Sequence, residues 1–175
     1  MVTSDRSGEL DCAVNAIFSQ APVNPSTGYF SDAGGMVQSL FENFYGLTED
    51  IGGITVWAIM WDAGNCYTPG TQDFEITFYQ DNAGTVGAMF QPPFNVTVTP
   101  TETGSFLNGS SVLRYDIDLP SSISLTNGWF SLVKLNPTND PCTFGWLNTT
   151  VGDNKMAYTH AGGAITPFIE NLHFV

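Results

Sequence analysis

The 175-residue chain sets 4 Lys and Arg against 17 Asp and Glu, a formal net charge of −13. Four scattered cations cannot supply the basic footprint that nucleic acid or an anionic membrane surface requires, so both are excluded as expected partners. Charged residues make up only 12% of the chain, about half the usual share. Ser, Thr, Asn and Gly must then carry solubility, which is the balance expected of a secreted or cell-surface protein, and the length suits one domain with a real core.

Residues 1–10 are polar and read as a leader, leaving 11–175 as a single domain. Short apolar runs separated by Gly, Pro, Asn and Asp follow in the manner of an all-β protein. They predict ten strands, near 36–45, 51–61, 73–80, 86–90, 94–99, 112–119, 128–135, 143–148, 155–159 and 167–174. In the second, Val56, Ala58 and Met60 lie on one face and Trp57, Ile59 and Trp61 on the other. In the third, Phe74, Ile76 and Phe78 alternate with Glu75, Thr77 and Tyr79, and the strand runs into Asp81-Asn82-Ala83-Gly84, a turn of residues that tolerate positive φ. Phe94, Val96 and Val98 alternate with Asn95, Thr97 and Thr99. In the sixth, Leu113, Tyr115, Ile117 and Leu119 oppose Arg114, Asp116 and Asp118. Such alternation predicts antiparallel sheets packed on one side. No window carries a capped helical stripe, so no substantial helix is expected, and ten strands close naturally as a two-sheet jelly-roll sandwich. No run of about 18 apolar residues can span a membrane, and no basic-plus-apolar signal peptide follows Met1, as expected if the domain belongs to a longer multidomain chain.

Several of these segments resemble a recurrent part of secreted bacterial β-sandwich modules, carbohydrate-binding-module-like jelly rolls appended to extracellular enzymes or surface proteins. The stretch Asp73 to Gly87 is similar to their strand-and-turn signature. Glu42-Asn43-Phe44, Ile54-Thr55-Val56-Trp57, Gly128-Trp129-Phe130-Ser131-Leu132 and Phe144-Gly145-Trp146 extend the likeness across most of residues 36 to 174. The resemblance implies an extracellular setting and no catalytic activity. It also implies a structural calcium: the last strand, Phe168 to Phe174, places Glu170 where such modules carry an acidic calcium ligand.

Glycan binding is the leading expectation from the residues. Pyranose rings stack an apolar C–H face on Trp or Tyr while Asp and Asn take the hydroxyls. Trp61 with Asp62, Asn65 and Tyr67 in the following loop, together with Tyr79 and Trp146, form the candidate ligand set, and Trp57 is expected in the core. For calcium, which takes loop oxygens, Asp73 near Asp62 and Asn65, and Asp81 with Asn82, are alternatives to Glu170. Catalysis has little to draw on. His160 and His173 lack a nucleophile turn, and no signature places two carboxylates about 5 to 10 Å apart as a glycosidase needs. A structural or adhesive spacer without a small ligand is the second reading, and a paired-carboxylate hydrolase the third. Among three cysteines, Cys66 and Cys142 sit in turn-like loops and form the favoured pair, with Cys12 left over and three free thiols as the alternative.

Overall fold

The computed structural model describes residues 16–20, 27–34, 38–61, 70–135, 142–160 and 162–175. Among these the chain is all β, with thirteen strands and no helix. They are β1 (Gly28–Phe30), β2 (Gln38–Phe44), β3 (Ile51–Trp61), β4 (Gln72–Asp81), β5 (Val86–Met89), β6 (Phe94–Val98) and β7 (Thr101–Leu107). There follow β8 (Ser110–Ile123), β9 (Gly128–Lys134), β10 (Thr143–Thr149), β11 (Met156–His160), β12 (Thr166–Phe168) and β13 (Asn171–Leu172). The count exceeds ten for identifiable reasons. β1 is three residues long, and β7 is a polar edge strand with no apolar run to announce it. The expected strand 167–174 is two strands in different sheets, because the chain crosses from β11 to β10 between Phe168 and Asn171.

One sheet runs β1-β10-β3-β8-β7, with β13 on β10. The other runs β12-β11-β2-β9-β4-β5, with β6 also on β4. Every ladder is antiparallel. β6 takes β4 at Gln72 to Ile76, and β5 takes it at Tyr79 and Asp81. The alternations read from sequence set the facing surfaces. Val56, Ala58 and Met60, Phe74, Ile76 and Phe78, and Leu113, Tyr115 and Ile117 meet in the main core with Phe130, Phe144 and Trp146. Outward faces are not purely polar. Trp57, Ile59, Val112 and Leu147 make a second cluster outside the first sheet, and Phe41, Trp129 and Ala157 a third outside the other.

Two turns put paired residues in the left-handed region, which Asn108, Gly109 and Gly84 favour and Ala83 does not. Ala83 and Gly84 have φ of 51° and 82°, and Asn108 and Gly109 have φ of 50° and 85°. These are the paired left-handed residues of tight hairpins, matched to strand twist.

The tail occupies an unusual place. β10 pairs with β3 as far as Trp146 and Ala58; beyond that point the two strands separate, and residues 171–175 fill the split. Asn171 and Leu172 run antiparallel to β10, and Phe174 antiparallel to Val56. Since β3 and β10 are themselves antiparallel, the tail must reverse at His173. Its bonds fix that apex: His173 N–H donates to the Leu147 carbonyl at 2.9 Å, Trp146 Nε1 donates to the His173 carbonyl at 2.7 Å, and Thr55 and Val175 exchange two bonds.

Candidate functional site

The described members of the sequence-derived ligand set, Trp61, Tyr79 and Trp146, are not brought together. Asp62, Asn65, Cys66 and Tyr67 lie outside the described residues, as do Cys12 and the 1–10 leader. Trp61 ends β3 half-buried against the Trp57 cluster. Tyr79 is on the opposite sheet, packed edge-on to Phe41 with centroids 5.3 Å apart. Trp146 is a correction: it is fully buried in the main core, because it shares strand parity with core residue Phe144, and no glycan can stack on it. Cys142 is disulfide-bonded.

The three alternative calcium ligands lie in three separate places. Asp73 accepts from the Thr97 hydroxyl at 2.6 Å, while Asp81, at the other end of the same strand, accepts from Trp129 Nε1 at 3.0 Å and caps the Gly84 amide. Those ends are about 26 Å apart at ~3.3 Å per residue. Glu170 stands beside Tyr29, where burial first, then the Glu170 charge and hydrogen bond, raise the tyrosine pKa. Among the described residues no three His, Cys, Asp or Glu side chains converge as a metal site.

A different place combines the required groups. A pocket of about 350 Å³ opens at the ends of β2 and β4, lined by Asn43, Tyr45, Asp81, Asn127, Asp153 and Lys155. Tyr45 is 50% exposed and held edge-on by Phe18 with centroids 5.4 Å apart. Asn127 is fixed by accepting the Gly46 N–H at 2.9 Å, and Lys155 lies 3.2 Å from Asp153 Oδ2. A presented ring, amides and ions of both signs give a polar seat of ligand size. The larger cavity, about 440 Å³ between the sheets, is walled by Phe44, Phe78, Phe130 and Ile54. Its rim carries Asp50, Asp116 and Asp118, of which Asp116 is engaged by Thr55 and Arg114, but among the described residues no Tyr or Trp lines it to offer a stacking ring.

Beneath the polar pocket lies a buried network that sequence reading did not find. Glu42 is fully buried on the inward face of β2 between Leu40 and Phe44. Its Oε2 accepts the Leu172 N–H at 2.7 Å and its Oε1 accepts Gln20 Nε2 at 2.9 Å. Burial pushes its pKa well above the carboxylate range; the two donors pull it back, and the Asp153 charge adds to the rise. Asn43 Nδ2 donates to Asp153 Oδ2 at 2.9 Å, and the Asn154 N–H donates to Asn171 Oδ1 at 2.8 Å. Gly152, with φ of 140°, must be glycine, since a Cβ there would strike the side-chain oxygens of Gln20 and Asn171. Three oxygens of this network, Gln20 Oε1, Asn43 Oδ1 and Asp153 Oδ1, are buried without a hydrogen-bond partner. The available signal was parity: Leu40, Glu42 and Phe44 occupy alternate positions of one strand, so Glu42 had to point inward.

No family model, no curated protein and no solved structure matches the chain.

Proposed function

We propose that the domain is a non-catalytic, extracellular carbohydrate-binding module that attaches a larger protein weakly to a glycan, and that the glycan sits in the Tyr45 pocket. The observation that carries this reading is the half-exposed Tyr45 ring beside Asn43, Asn127, Asp81, Asp153 and Lys155. The ring offers a stacking face, while the amides and carboxylates bond hydroxyls. The nesting of the β3–β8 pair within the β2–β9 pair, one in each sheet, supports a jelly-roll winding. A net charge of −13 directs the reading to neutral glycans.

Affinity electrophoresis against a neutral glycan panel tests it. Tyr45→Ala is expected to weaken retention by about 1–2 kcal/mol and to leave the melting temperature nearly unchanged. Trp61→Ala, assayed beside it, is expected to retain glycan. Loss in Trp61→Ala alone would move the seat to the end of β3. A wild-type protein that retains none of the panel would replace the glycan reading with the spacer reading.

A further inference from the structure

We infer that Gln20, Glu42, Asn43 and Asp153 hold a calcium ion in the floor of the Tyr45 pocket. Gln20 and Asn43 are 1% and 7% exposed. Both turn their amide nitrogens to a carboxylate, Glu42 for one and Asp153 for the other, and so leave their amide oxygens, with Asp153 Oδ1, buried and unpartnered. Buried acceptors of this kind are expensive unless something satisfies them. A water could donate to two of the three but would leave the third without a partner, and it brings no positive charge to the Glu42 and Asp153 carboxyls. Among the described residues the cation close by is Lys155, which is 52% exposed and lies 3.2 Å from Asp153 Oδ2. A divalent cation satisfies the oxygens and the charge together.

The donors specify which cation. They are amide and carboxylate oxygens with no histidine or cysteine, a hard set that suits calcium over zinc or copper. Four side chains supply oxygen, and Asn43 and Asp153 also line the open pocket, where water completes the six to eight that calcium takes. The ligands come from three separate places: the segment before β1, two successive residues of β2, and the loop after β10. The glycine that clears their space precedes Asp153 directly. An ion here would clamp the N-terminal segment and that loop onto the second sheet. It uses none of Glu170, Asp73 and Asp81. It does not depend on glycan binding, because melting reads the cation alone.

The test is thermal unfolding of the full chain, first stripped with chelator, then in excess chelator, calcium or magnesium, with terbium luminescence as a second readout. The expected result is a rise of about 5–10 °C at roughly hundredfold calcium excess over its dissociation constant, with a smaller rise in magnesium. Glu42→Gln is isosteric and can keep the Leu172 bond while the Gln20 amide flips to accept from it, so it should still fold in chelator yet lose most of the calcium response. Asp153→Asn should lose it as well. Identical wild-type melting in chelator and calcium, with no terbium signal, would assign the three oxygens to buried water and overturn the inference. A calcium response that Glu42→Gln and Asp153→Asn leave intact would overturn it too, by placing the ion elsewhere. Loss of glycan retention in Tyr45→Ala with the calcium response intact separates the two sites.

Discussion

At the scale of single residues, His173 shows how a polar group can be enclosed without being satisfied. Its ring stacks on Trp57 with centroids 4.0 Å apart and planes 13° apart, and neither ring nitrogen has a partner. The Arg114 guanidinium lies 5.6 Å from the Trp57 ring, adding a positive charge nearby. Burial lowers the His173 pKa to about 3, so the folded protein keeps the ring neutral where the unfolded chain, near 6.5, protonates. The unfolded state therefore binds the extra proton, and stability falls as pH drops from about 6.5 towards 3. Melting followed from pH 7 to pH 4 should show this limb, and His173→Phe, which keeps a ring against Trp57, should flatten it. An equally steep limb in His173→Phe would assign the acid sensitivity to other groups. The expected strand 167–174 contains His173, but its enclosure could not be read there, because it depends on Trp57, more than a hundred positions earlier. By contrast, parity with Phe144 and with Leu40 and Phe44 already points Trp146 and Glu42 inward, although the sequence reading includes Trp146 among the ligand residues and does not find Glu42.

At the scale of elements, strands with clean alternation were legible: β3, β4 and β8 have the faces their residues dictate. β7 was not, since Thr101 to Leu107 has little apolar content and pairs only with β8, though Asn108-Gly109 behind it is a strong hairpin signal. The tail was legible as extended chain, but its division between two sheets was not, because nothing local records that β3 and β10 separate after Ala58. Phe174 anchors the returning arm. It stacks on Phe18 at 5.4 Å and meets Phe130 edge-on at 4.9 Å, and it is 5% exposed. Phe174→Ala should cost about 3–5 kcal/mol, read as a lowered urea midpoint at unchanged slope. A loss below about 1 kcal/mol would show that the split in the sheet tolerates an empty arm.

At the scale of the whole molecule, the sandwich is tied by distant partners: Gln20 to Phe174, Gly28 to Leu147, and the disulfide at Cys142. Cys66 is the proposed second half of that disulfide. Non-reducing peptide mapping should find Cys66 joined to Cys142 and Cys12 alkylatable; a Cys12–Cys142 peptide would reverse the assignment. Pairings this far apart in sequence make folding slow. The tail sharpens the point, because residues 171–175 are synthesised after every strand they join. Until they emerge from the ribosome, Thr55, Val56, Asn148 and Thr149 face an open seam whose backbone groups lack their native partners. A nascent chain is thus exposed to strand capture at one defined place. The fittest intruder is the same five residues from a neighbouring copy, so crowded synthesis should favour exchanged pairs over random aggregates.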